Sequence, residues 1–160
     1  MAMNPPPPAS QARPASGLTP SLGVVAIVDN DPQVAQVLGQ WLEFQGLRSA
    51  CYLSGESLLQ AAHEERGQWS MPAGSVTAAN YRLSGAVVDL NLPGISGFEL
   101  ANLLRRIDPG LPLVIITALR EEERARHGAP PPGVRCLRKP FDLDELEDAL
   151  LPLLHDATPG

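Results

Sequence analysis

The sequence predicts an α/β fold: a doubly wound, five-stranded parallel sheet with helices on both faces. Two observations predict it. Short apolar, β-branched runs recur along the chain, and segments with helical apolar spacing separate them. A third observation gives the sheet a working edge. The runs end in Asp29, Asp89, Thr117 and Lys139, and open sheets of this kind bind ligands at the carboxyl ends of their strands.

Residues 1–20 are Pro, Ala, Ser and Gln with little to bury, and Pro5 to Pro8 favour polyproline II. They are expected to form a disordered tail ahead of one domain at 21–155. Gly23 to Val28 reads as a buried strand. Asp31 and Pro32 suit an N-cap and first turn, and Val34, Val37, Leu38, Trp41 and Leu42 then make one helical stripe up to Gly46. Leu47 to Leu53 is a weaker second strand, and Ser54 to about Glu65 a helix carrying Leu58, Leu59 and Ala62. Gly85 to Leu90 is the third strand. Ser96 to Ile107 is a helix closed by Asp108-Pro109-Gly110. Leu113 to Thr117 and Val134 to Leu137 are strands four and five. The last helix opens with the capping-box variant Asp142-Leu143-Asp144-Glu145.

Composition excludes several function classes. The chain has 160 residues, 44% hydrophobic and 19% charged, which suits one globular domain. A net charge of −6 argues against nucleic-acid binding, because phosphate contacts need Lys and Arg. No apolar run reaches the roughly 18 residues of a membrane span, and the N-terminus lacks the apolar stretch of a secretory signal. Cys51 and Cys136 have no metal-ligand spacing and imply no disulfide framework. A cytoplasmic protein with no membrane or nucleic-acid contact is expected.

Taken singly, Asp31 reads as a helix cap, Thr117 as a strand end and Lys139 as a solvated charge. Asp89 is harder to dismiss, since a carboxylate straight after Ala86-Val87-Val88 needs a partner. Together the strand ends supply carboxylates, a hydroxyl and an ammonium. Clustered carboxylates suit a hard cation such as Mg²⁺. A carboxylate can act as a nucleophile and form an acyl phosphate, with a cation on each side of the transferred group.

These residues resemble the receiver domain of two-component response regulators, over about Leu22 to Leu153. The resemblance is carried by Val87-Val88-Asp89-Leu90-Asn91-Leu92-Pro93-Gly94-Ile95-Ser96-Gly97 and Arg138-Lys139-Pro140-Phe141, and less sharply by Val28 to Pro32 and Ile115 to Ala118. It implies a flavodoxin-like strand order 2-1-3-4-5, as in chemotaxis regulators. It implies that Asp89 accepts a phosphoryl group from a sensor histidine kinase, and that Asp29, Asn30, Asp89 and the carbonyl of Asn91 bind Mg²⁺. Thr117 and Lys139 would contact the phosphoryl group, with Ala118 leaving it room and Lys139-Pro140 cis.

Three positions depart from the family pattern. Asn30 stands where Asp is usual, which removes one charge and predicts weaker Mg²⁺ binding. Cys136 stands where an aromatic usually swings inward. Residues 121–133 have almost no apolar stripe and contain Pro130, Pro131 and Pro132, so the fourth helix is expected to be short, loose or absent. In addition, Glu64 to Leu83 is about a dozen residues longer than the family needs, and reads as a variable surface loop in which Trp69 and Tyr81 either anchor the segment or contact a partner.

The function expected is a phosphorylation-operated switch, a signalling module rather than an enzyme. Only Leu153 to Gly160 follow the last helix stripe, so either docking to a downstream protein or onward relay of the phosphoryl group is expected, with a weak homodimer allowed. The alternative is a phosphorylation-independent pseudo-receiver, which Asn30, Cys136 and the degraded fourth helix favour. An aspartate-nucleophile phosphatase acting through Asp29 is disfavoured by Gln33, and a dinucleotide binder by the missing glycine-rich turn.

Overall fold

The computed structural model describes residues 23–72 and 80–157; the expected tail at 1–20 lies outside them, as do residues 73–79 of the insertion. Within the described residues the elements run β1 (Gly23–Val28), α1 (Pro32–Phe44), β2 (Ser49–Tyr52), α2 (Gly55–Ala61), β3 (His63–Glu65), β4 (Gln68–Pro72), β5 (Asn80–Asp89), α3 (Gly97–Ile107), β6 (Leu113–Thr117), α4 (Glu121–Arg124), a 3₁₀ turn (Ala125–His127), β7 (Arg135–Arg138) and α5 (Leu143–Ala157). The parallel strands stand in the order β2-β1-β5-β6-β7. This is the expected 2-1-3-4-5 order.

Two antiparallel strands widen the sheet. The helix expected to reach Glu65 stops at Ala61, and β3 and β4 form a hairpin that pairs with the start of β5. The reason is local. Past Ala62 the residues His63 to Gln68 are all exposed and offer a helix no apolar face. Arg66 and Gly67 take positive φ values of 54° and 77°, the backbone of a two-residue turn that matches strand twist. The described parts of the insertion, residues 64–72 and 80–83, therefore belong to the sheet. β4 occupies the edge of β5 at Arg82, and β6 takes the same edge from Ala86 onward.

A bulge marks the handover. Val24 pairs with Leu83 and Val25 with Gly85, so Ser84 is the extra residue. Its hydroxyl donates to the Val24 carbonyl at 3.1 Å. The extra residue changes the parity of β5, which lets Leu83, Ala86 and Val88 all face one core layer.

The two faces of the sheet bury separate layers. Val24, Ala26, Val28, Val88 and Ile115 pack toward α2 and α3, against Leu58, Phe98, Leu100 and Leu104. Val25, Ile27, Val87, Val114 and Ile116 pack toward α1 and α5, against Leu38, Leu42, Leu146 and Leu150. Each fully buried aliphatic side chain contributes about 1.5–3 kcal/mol. Val37 departs from the expected stripe. It is 53% exposed, while Ala35 is buried and lets α1 sit close to the sheet.

The hairpin is fastened to α3 by Trp69, whose Nε1 donates to the Leu104 carbonyl at 3.0 Å. That carbonyl, in the last turn of α3, also accepts from the Asp108 N–H at 3.0 Å, so the indole supplies it a second donor. Trp69→Phe keeps an aromatic ring there but loses the bond and part of the indole's packing. It is expected to cost about 1 kcal/mol. Amide exchange should speed up in β3 and β4 while β1 and β6 keep their protection; uniform acceleration across the sheet would contradict a local fastening.

Candidate functional site

The carboxyl ends of the parallel strands bring most of the predicted residues together. Asp29 ends β1 and is fully buried. Its backbone N–H donates to the Tyr52 carbonyl at 3.0 Å, and its Oδ1 accepts from the Asp31 N–H at 2.9 Å. Asp89 ends β5 at 6% exposure, and its Oδ1 accepts from the Asn91 N–H at 3.1 Å. Lys139 follows β7 with a cis bond to Pro140, and its own N–H donates to the Thr117 carbonyl at 2.7 Å. From there its Nζ reaches Asp29 Oδ2 at 3.0 Å and Asp89 Oδ2 at 3.3 Å. One ammonium thus bridges two buried carboxylates on different strands.

The electrostatics follow from that crowding. Burial pushes the Asp89 carboxyl above its ordinary range, and the nearby charge of Asp29 pushes it further; Lys139 and the Asn91 N–H oppose this without cancelling it. Burial alone would lower Lys139. The hydrogen bond to Asp29 and the two carboxylate charges outweigh it, so the ammonium is held above its usual range.

Other predicted residues take less direct places. The Thr117 side chain is buried, and its hydroxyl accepts from the Leu119 N–H at 3.0 Å. Ala118, Asn30 and Asn91 are exposed at the rim. Asp31 is occupied as the cap of α1, accepting from the Gln33 N–H at 2.9 Å. Beside Lys139 an open groove of about 410 Å³ runs between α1 and the start of α5, lined by Val34, Val37, Leu38, Phe141 and Leu143.

Among the described residues no three His, Cys, Asp or Glu side chains gather as a metal-binding group. The donor set nevertheless fits a hard divalent cation. Asp29 and Asp89 are close enough for one to raise the other's pKa, an excess of negative charge that a cation relieves. The amide oxygen of Asn30 and the carbonyl of Asn91 are further hard-oxygen donors, the kind Mg²⁺ takes.

The fourth helix is one turn, Glu121–Arg124, followed by the 3₁₀ turn. The proline segment after it lies on α3. Asn102 Nδ2 donates to the Ala129 carbonyl at 3.3 Å, and Arg105 Nη1 to that of Pro132 at 2.9 Å. Cys136 is half-buried; burial raises its thiol pKa, and the neighbouring Arg124 partly offsets this.

Sequence reading passed over Glu56, whose Oε2 accepts from the Ile95 N–H at 2.9 Å, next to the Asp89 loop. It also passed over how close α3 comes to Asp89. The Gly97 N–H donates to the Leu90 carbonyl at 2.9 Å.

The response regulator receiver domain model matches residues 25–151. The chain belongs to that family. It is 28% identical over 131 residues, 82% of this chain and 49% of the relative, to "Probable transcriptional regulatory protein TcrX" of Mycobacterium tuberculosis. It is 32% identical over 123 residues to "Heme response regulator HssR" of Staphylococcus haemolyticus, covering 75% of this chain and 46% of that one. The receiver chain therefore spans about half the length of these two relatives. Among solved structures it resembles a CheY-like receiver domain protein from Methanospirillum hungatei JF-1, with a TM-score of 0.63 and 21% identity over 86% of this chain and 97% of that chain. That likeness concerns the fold. Receiver domains are signalling modules of two-component systems, and no helix of the described residues is long and apolar enough to cross a membrane.

Proposed function

We propose that this receiver accepts a phosphoryl group on Asp89 from the phosphohistidine of a sensor histidine kinase, in the cytoplasm, and signals by docking to a downstream protein. The observation that supports this best is the Lys139 ammonium bridging the buried carboxylates of Asp29 and Asp89 at the strand ends. Asp89 is the nucleophile in this reading: a carboxylate oxygen forms the new O–P bond while the N–P bond breaks, its electron pair leaving on the donor imidazole. Asp29, Asn30, Asp89 and the Asn91 carbonyl would hold Mg²⁺, which would supply positive charge against the transferred group. Lys139 turns from the carboxylates to the phosphoryl oxygens. Thr117, whose hydroxyl accepts from the Leu119 N–H and keeps its own proton to give, donates to another oxygen, and the shift of its side chain biases the β6–α4 loop toward a second conformation.

A second reading, a receiver fold that docks without phosphorylation, draws on Asn30, on Cys136 and on the single-turn α4. Mass spectrometry of the intact protein after incubation with Mg²⁺ and acetyl phosphate separates the two. A single Mg²⁺-dependent phosphoryl adduct, absent from Asp89→Ala, is expected. No adduct, together with no binding of beryllofluoride, would leave the phosphorylation-independent module standing.

A further inference from the structure

The loop from Leu90 to Ser96 carries Asn91 and is held from two sides. At its far end Ser96 and Glu99 form a capping box that starts α3. Across the loop stands α2, whose first turn carries Glu56, and Glu56 Oε2 accepts from the Ile95 N–H at 2.9 Å. The two elements interlock. Gly94 has φ of +78° and lies under the Glu56 carboxylate, where an added Cβ would stand 2.2 Å from Oε2. Gly55 lies under Ile95, where an added Cβ would stand 2.8 Å from Cδ1. α2 also begins shortly after Tyr52, whose carbonyl holds the Asp29 N–H. The start of α2 is thereby tied to both loops that carry the buried carboxylates.

An acidic residue in a first helical turn has an ordinary explanation, since it answers the helix dipole. That explains a carboxylate at this position. It does not explain why the carboxylate is aimed across the gap at a backbone N–H; the glycine at 94 follows from its positive φ.

We propose that Glu56 is a positioning residue for the phosphoacceptor site: its carboxylate pins the Ile95 amide and so sets the loop that offers Asn91 to the cation. The inference rests on the reading of Asp89 and Asn91 given above. Loss of the pin lets the loop sample other conformations, and cation binding must then re-order it.

The test compares Glu56→Ala with Glu56→Gln in the full chain. Gln keeps an oxygen acceptor and drops the charge. Calorimetric titration with Mg²⁺ is expected to show binding weakened about threefold to tenfold in Glu56→Ala, the range of one hydrogen bond, with Glu56→Gln close to wild type. The Ile95 amide proton should move upfield in Glu56→Ala and hold its place in Glu56→Gln, with thermal midpoints of all three proteins similar. Unchanged Mg²⁺ affinity in Glu56→Ala overturns the role of Glu56. Equal loss in both variants overturns it too, because charge rather than the hydrogen bond would then be responsible. A wild-type protein that binds no Mg²⁺ and takes no phosphoryl group overturns the reading of Asp89 itself, and the role of Glu56 with it.

Discussion

Lys139→Met is expected to destabilise the domain by about 3 kcal/mol at neutral pH, the low end of the cost of breaking a buried ion pair, since Nζ sits at a partly open edge. The variant leaves Asp29 and Asp89 facing each other without the ammonium that bridges them. The pH dependence gives the effect a signature. Asp89 is already raised above its ordinary 3.8 by burial and by Asp29, so its ionised form costs the folded state stability. Losing Lys139 raises it further. The added penalty is complete above the folded pKa and fades as pH falls through it toward 3.8, where folded and unfolded chains both carry the proton. In alkali the two proteins converge again. The raised pKa of Lys139 means its contribution is present below 10.5 and is lost as pH rises through the folded value.

Asp89→Asn supplies the complementary arm. It removes a carboxylate that burial and Asp29 disfavour, so it should raise the urea midpoint at pH 7, and the gain should disappear in acid. In the Lys139→Met background it should recover part of the loss, because it removes the repulsion between the two carboxylates while Asp29 still lacks its counter-charge. Urea titrations of the four proteins from pH 4 to 8 check this. A loss in Lys139→Met that is the same at both ends of that range would mean the lysine acts through packing, not charge.

The parts of this molecule that could be read from sequence are those where one residue's surroundings repeat along the chain. β1 and β6 are continuous apolar runs buried on both faces, and their observed bounds match the expected ones. Asp29 and Asp89 were legible because each follows such a run, and a charged group beside a buried strand needs a counter-charge; Lys139 follows β7, where only Leu137 is buried, and stood out through the Arg138-Lys139-Pro140-Phe141 resemblance. The hairpin was not legible by the same logic. β3 is an edge strand with every side chain exposed, so it shows no alternation. The bulge at Ser84 puts Leu83 and Ala86 on one face, which breaks the period of two where β5 is extended. The Arg66-Gly67 turn was the one local signal available. Glu56 was hidden for a different reason: its partner is a backbone N–H thirty-nine positions away, and no side-chain pattern reports on backbone.

Gly97→Ala extends that last point to the position where backbone meets backbone most closely. An added Cβ would stand 2.5 Å from the Asp89 carbonyl oxygen and 2.7 Å from the Leu90 Cα. A side chain in the way can rotate; here the obstacle is the peptide that carries Asp89, so either α3 or that peptide must move. The expected cost is about 3 kcal/mol, the upper end of overpacking, and a thermal midpoint lower by roughly 10 °C. Moving α3 stretches the bond from the Gly97 N–H to the Leu90 carbonyl, and moving the peptide shifts the Asp89 carboxylate relative to Lys139. Phosphoryl uptake from acetyl phosphate should therefore slow even in the folded fraction, by about tenfold if one charged contact is lost. Gly39→Ala is the control. It lies inside α1, and its added Cβ would meet the Ser49 Oγ at 3.4 Å and the Ile27 Cδ1 at 3.9 Å. Relief of glycine's backbone entropy there should stabilise the domain by about 0.5–1 kcal/mol. Opposite shifts in the two variants would show that the glycine at 97 serves close approach to the strand that ends in Asp89, whereas a wild-type midpoint for Gly97→Ala would mean that α3 stands farther from Asp89 in solution.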